Sequence, residues 1–108
     1  MLKLLNSFSA NMLPPEGGLV CFDPLTLPEA AAMWAQAEDK TSAVGHADTA
    51  ALFATLLGNP VVVNRVSVTL ADRGYALLGQ YRGPRLAEGV TELPLGATVA
   101  WYRVRFTV

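Results

Sequence analysis

The stretch from Val44 to Gly58, Val-Gly-His-Ala-Asp-Thr-Ala-Ala-Leu-Phe-Ala-Thr-Leu-Leu-Gly, constrains the chain more than any other. Gly45 opens it and Gly58-Asn59-Pro60 closes it, so the spacing predicts a helix from about His46 to Leu57. Ala50, Phe53, Ala54 and Leu57 share one face, with Leu52 and Leu56 beside them. An apolar stripe that broad has to be buried against a second layer. Asp48 and Thr49 fall in the first turn, where an acid and a hydroxyl suit the partial positive charge of a helix start. The only histidine of the chain, His46, stands there directly after Gly45. Unpaired N–H groups at such a start bind anions, and an imidazole beside them can lend a proton near neutral pH.

The rest of the chain supplies the second layer. Leu2 to Leu5 and Leu19 to Phe22 read as buried strands. Thr26-Leu27-Pro28-Glu29 fits a capping box with an early proline, and Glu29 to Glu38 follows as a helix with Ala30, Met33, Trp34 and Ala37 inward. Lys40 to Val44 is a connector or short strand. Val61 to Leu70 is rich in β-branched residues, with Val66, Val68 and Leu70 alternating against Ser67 and Thr69, and reads as a strand. Asp72-Arg73-Gly74 reads as a hairpin turn, Tyr75 to Tyr81 as its return strand, and Val99 to Val108 as a long last strand. The expectation is one α/β domain over residues 1–108: a single mixed sheet of about five strands with two or three helices packed on it.

Composition bounds the function. Hydrophobic residues make up 52% and charged residues 16% of 108, a greasy composition for a chain with limited core volume, which points to a subunit interface, most simply a two-fold dimer, or alternatively to a well-filled core with no partner. The net charge of −1 gives no long-range pull on a nucleic-acid polymer, so an anionic ligand needs a local cluster. Six arginines, Arg65, Arg73, Arg82, Arg85, Arg103 and Arg105, lie in the second half against two lysines in the first, which favours forked recognition of phosphate or, alternatively, solvated strand edges. One cysteine makes no internal disulfide and, with one histidine, no zinc cluster; Cys21 is expected to be a buried small hydrophobe. No signal peptide precedes Met1 and no apolar run approaches about 20 residues, so the expectation is a soluble, cytoplasmic protein that does not enter membranes.

Phosphate-loop, dinucleotide-binding and Gly-x-Ser-x-Gly signatures are absent, and the acids do not cluster along the chain as metal ligands. Three features remain: His46, the Arg85/Glu88 pair, and the polar run Asn6, Ser7, Ser9 and Asn11. Each has a plainer explanation. A lone histidine at a helix start is commonly a satisfied surface or core residue, Arg85 and Glu88 three apart on one turn would pair with each other, and small polar residues after a strand cap turns. Together they fit metal-free cleavage of an RNA-type phosphodiester. There a 2′-hydroxyl attacks phosphorus, and the enzyme must protonate the leaving 5′-oxygen and neutralise charge on the phosphoryl oxygens.

The segments Leu4-Leu5-Asn6-Ser7-Phe8-Ser9-Ala10-Asn11-Met12-Leu13, Gly45-His46-Ala47-Asp48-Thr49-Ala50, Asn64-Arg65-Val66 and Arg85-Leu86-Ala87-Glu88-Gly89 occur in this order. Together they resemble the viral ring nucleases, the type III anti-CRISPR proteins of archaeal viruses and bacteriophages, which have relatives in prokaryotic genomes. The resemblance implies a homodimer that encloses cyclic tetra-adenylate, the second messenger of type III CRISPR defence, and cuts it without metal or cofactor to linear di-adenylate. It implies His46 as general acid, Arg85 on the developing phosphoryl charge, and Glu88 positioning either His46 or the attacking hydroxyl. Asn6, Ser9, Asn11, Gly45, Thr49 and Arg65 would bind the ligand. Thr91 to Thr98 is shorter than in the viral members, which have a helix there. A dimer that sequesters the cyclic nucleotide without cutting it is the alternative, and a structural or nucleic-acid-binding dimer a third, disfavoured by the net charge.

Overall fold

The computed structural model describes residues 1–70 and 74–107. Its elements are β1 (Leu2–Leu5), a 3-10 turn (Ala10–Met12), β2 (Leu19–Leu25), α1 (Leu27–Gln36), β3 (Lys40–Ser42), α2 (Ala47–Leu57), β4 (Tyr75–Arg82) and β5 (Thr98–Thr107). The five strands form one mixed sheet in the order β2-β5-β4-β1-β3. β1 runs parallel to both β3 and β4, whereas β5 is antiparallel to β4 and to β2. The carboxyl ends of β1, β3 and β4 therefore share one rim of the sheet. This is the fold class expected.

Both helices lie on one face. There Leu2 and Leu4 of β1, Leu77 of β4 and Trp101 of β5 pack with Ala30 and Trp34 of α1 and Ala50, Phe53 and Leu57 of α2. Residues one step out of phase, Leu5, Ala76, Leu78, Val104 and Phe106, form a second cluster on the opposite face, as strand alternation requires. Local chemistry sets the helix ends. Thr26 Oγ1 accepts from the Glu29 N–H at 3.2 Å and Glu29 Oε1 accepts from the Thr26 N–H at 2.9 Å, so α1 begins at Leu27, two residues before the expected start. Gly58 ends α2 with φ +68°, its N–H bonded to the Ala54 carbonyl at 2.9 Å. Gly79 leaves the space in which Phe53 and Trp101 meet, their ring centroids 4.9 Å apart.

Val61 to Leu70 is not a strand. Its ties are discrete: the Asn64 N–H bonds the Val44 carbonyl at 2.8 Å, the Asn64 side-chain amide bonds the Ser42 carbonyl at 2.8 Å, the Lys3 ammonium bonds the Thr69 carbonyl at 3.4 Å, and the Leu70 N–H bonds the Met12 carbonyl at 2.8 Å. Val68 and Leu70 do turn inward, against the second cluster, so the apolar alternation is used for cover and not for pairing. Lys40–Ser42 takes the fifth place in the sheet because it lies directly beside β1. β4 pairs with β1 and β5, not with a preceding hairpin strand; of the expected turn, Asp72 and Arg73 lie outside the described residues. Cys21 is exposed and not buried, since β2 is an edge strand. Its thiol donates to Asp23 Oδ1 at 3.5 Å and accepts from Arg105 at 3.3 Å. Among the described residues, no helix is long and apolar enough to cross a membrane.

Candidate functional site

Three loops leave the carboxyl rim of the sheet: Asn6 to Met12 after β1, Ala43 to His46 after β3, and Gly83 to Gly89 after β4. Ligands of open α/β sheets bind at such a rim, where loops from neighbouring parallel strands diverge. His46 is the N-cap residue of α2, in extended backbone and with no side-chain capping bond. Its carbonyl accepts from the Ala50 N–H at 2.9 Å and starts the helix. The imidazole is exposed at the N–H end of α2.

Two cavities flank this ring. One, of about 360 Å³, is lined by His46, Asp48 and Thr49 from the start of α2 and by Tyr81, Gly83, Arg85 and Leu86 from the end of β4 and its loop. The other, of about 200 Å³, brings His46 together with Asn6, Ser7, Gly45, Arg65 and Val66 over a floor that includes Leu5 and Val68. Each cavity thus has one arginine, and the histidine belongs to both. The first also holds the Asp48 carboxyl, which keeps it from being uniformly positive. At the opposite rim, a cavity of about 350 Å³ is lined by Met1, Glu38, Asp39 and Tyr75; its acids suit an anion poorly.

Arg65 reaches the site because of the irregular segment. The two Asn64 bonds pin that segment to the end of β3, and the aliphatic stem of Arg65 lies across Gly45, its Cγ 3.4 Å from where a Cβ would stand. Arg103 and Arg105 are committed elsewhere. Both bond Asp23 across β2 and β5, Arg105 through a fork of 2.6 and 3.1 Å. These bonds, Arg105's above all, hold the Asp23 carboxyl below its usual value.

Of the residues named from sequence, His46 meets Asn6, Gly45 and Arg65 on one side and Thr49 and Arg85 on the other. Glu88, Ser9 and Asn11 line neither cavity. Ser9 Oγ is occupied in accepting the Asn11 N–H at 3.2 Å, which caps the 3-10 turn. Arg85 and Glu88 do not share a helical turn, and among the described residues they form no ion pair. Glu88 sits in a reverse turn closed by the Val90 N–H to the Ala87 carbonyl at 3.2 Å, with Gly89 at φ +80°. Sequence reasoning missed Tyr81. Its only signal was its place at a strand end just before Gly83-Pro84. Among the described residues, no three His, Cys, Asp or Glu side chains gather as a metal site.

A family model described as STIV B116-like matches residues 2–94, from β1 through the loop that holds Arg85 and Glu88. B116 of Sulfolobus turreted icosahedral virus is similar in structure, with a TM-score of 0.80 at 27% identity over 95% of this chain and 97% of that one. No curated protein matches the chain. The extent of the family match and the agreement of the whole sheet lead to one conclusion: the chain belongs to the STIV B116-like family, which includes a viral protein.

Proposed function

We propose that the protein is a ring nuclease that cleaves cyclic tetra-adenylate to linear di-adenylate without a metal ion, and so silences the nucleases that this messenger activates in type III CRISPR defence. The observation that supports this most is the joint presence of His46 and Arg85 around one cavity at the N–H end of α2. In the proposed reaction a ribose 2′-oxygen attacks the adjacent phosphorus and passes its proton to solvent water. The bond from phosphorus to the 5′-oxygen breaks, and His46 delivers a proton to that oxygen. A 2′,3′-cyclic phosphate end results, and two such cuts turn the ring into two dinucleotides. Arg85 and the first N–H groups of α2 face the charge that grows on the phosphoryl oxygens. Arg65, in the neighbouring cavity, holds the next phosphate along the ring.

A ring of four nucleotides is large for one of these cavities, so the active species is a homodimer with the ligand between its subunits. Exposed apolar side chains such as Phe22 and Leu95 would offer surface for that contact. The position of Glu88 outside both cavities favours a second reading, capture of the cyclic nucleotide without cleavage.

Incubation with cyclic tetra-adenylate in chelator, beside His46→Ala, tests the proposal. Wild type is expected to yield linear di-adenylate, and the variant to be slower by about 10²–10⁴-fold. An intact ring with wild type, or equal rates for the two proteins, would overturn catalysis; tight binding without product would establish the second reading.

A further inference from the structure

We infer that Tyr81 is a positioning residue for Arg85, an assignment that rests on the ring-nuclease reading. Tyr81 is the penultimate residue of β4, and its half-buried ring lines the same cavity as His46 and Arg85. Its phenol O–H donates to the carbonyl oxygen of Pro84 at 2.6 Å. That carbonyl belongs to the peptide unit that leads into Arg85, so the bond fixes the plane from which the arginine side chain departs. The turn between the two ends is pressed flat. A Cβ on Gly83 would stand 2.6 Å from the Ala97 Cβ and 2.9 Å from the Tyr81 oxygen, so only glycine lets the chain pass between the start of β5 and the hydroxyl. Pro84 adds a fixed φ. Arg85 lies outside any helix or strand, and these three residues replace the rigidity that regular structure would have given it.

Tyr81→Phe removes the hydroxyl and keeps the ring. Loss of a single orienting hydrogen bond should slow ring cleavage by about 3–10-fold, with the melting temperature little changed. In an Arg85→Ala background the same substitution should have no further effect, because a residue that acts through Arg85 has nothing left to act on. Equal losses in both backgrounds, or no loss in wild type, would overturn the assignment. A second measurement does not depend on turnover: the ¹H–¹⁵N NOE of the Arg85 backbone amide in the free protein should fall in Tyr81→Phe. An unchanged NOE overturns the clamp even if wild type cuts nothing, whereas a lowered NOE with an inert wild type upholds the clamp and removes the ring-nuclease reading.

Discussion

Gly79→Ala tests how closely the helical layer is seated on the sheet. The added Cβ would lie 2.6 Å from Trp101 Cζ3 and 2.7 and 2.9 Å from two ring carbons of Phe53. Neither ring can move aside cheaply, since Phe53 is 0% and Trp101 4% exposed. Such overpacking costs about 1–3 kcal/mol. Alanine loses less backbone entropy than glycine on entering a strand, which offsets about 0.5–1 kcal/mol. With contacts under 3 Å to two buried rings the overpacking falls in the upper half of that range, about 2–3 kcal/mol, so the net cost is roughly 1–2.5 kcal/mol. With about 2.1 cal/mol/K of unfolding entropy per residue, 108 residues give about 0.23 kcal/mol per degree, so the midpoint should fall by about 4–11 °C. Thermal unfolding followed by circular dichroism reads this directly. Phe53→Leu placed on top of Gly79→Ala should cost less than it does alone, because the smaller side chain relieves the clash. A melting temperature at or above wild type for Gly79→Ala would refute the packing argument. So would strictly additive losses in the pair. The clash also concerns the site, since Phe53 belongs to α2, and lifting that helix displaces His46 at its start.

Two further perturbations address the helix cap and the anchor of Arg65. The Thr26 backbone N–H, with the Thr26 side chain, holds the Glu29 carboxyl below its ordinary 4.5, so Glu29 stabilises the fold above that pH and loses the contribution as pH falls through its lowered folded value. The margin of wild type over Glu29→Gln in melting temperature should therefore be full at pH 7 and shrink below about 4.5; a margin constant with pH would contradict it. Asn64→Ala leaves the Ser42 carbonyl without its 2.8 Å donor, at about 1–2 kcal/mol, and removes one of the two bonds that hold Arg65 against Gly45, the backbone bond to Val44 remaining. Under the proposed function, calorimetry should find weaker binding of cyclic tetra-adenylate to Asn64→Ala, and less further loss when Arg65→Ala is added than Arg65→Ala costs alone; independent, multiplying losses would count against the anchor.

What the sequence made legible was local or periodic. The Thr26/Glu29 cap and the Gly58 stop need only neighbours within one turn, and both are found. The inward faces of α1 and α2 follow from residue spacing alone. Val61 to Leu70 misled because alternation of apolar residues marks side chains that can cover a core, as Val68 and Leu70 do while Val66 stays exposed, and not whether the backbone has a strand beside it. Lys40–Ser42 has little pattern of its own and is a strand because β1 lies next to it. Cys21 misled in the same way, since an edge strand leaves open what an inner strand would bury. In the site, a helix start after glycine pointed to His46 by local rules. That Arg65 and Arg85 fall on opposite sides of it depends on where the irregular segment crosses β3 and on where the sheet sets the end of β4 beside α2, both non-local.

The two arginine-bearing cavities differ in how they are held. The Arg85 loop is tied down at its root by the phenol of Tyr81, whereas Arg65 lies on a segment fastened through Asn64 and Leu70 and otherwise free of regular backbone pairing. Segments of that kind open at a lower free energy than the sheet beneath them. Amide protons from Val61 to Thr69 should then exchange with solvent sooner than those of β1 and β4. Each opening would uncover Leu5 and Leu78 and dismantle the Arg65 side while His46 and Arg85 stayed assembled. Under the proposed ring-nuclease function, the hold on the far end of a ligand would then loosen before the His46 and Arg85 side came apart, which would free a product without disassembling that side.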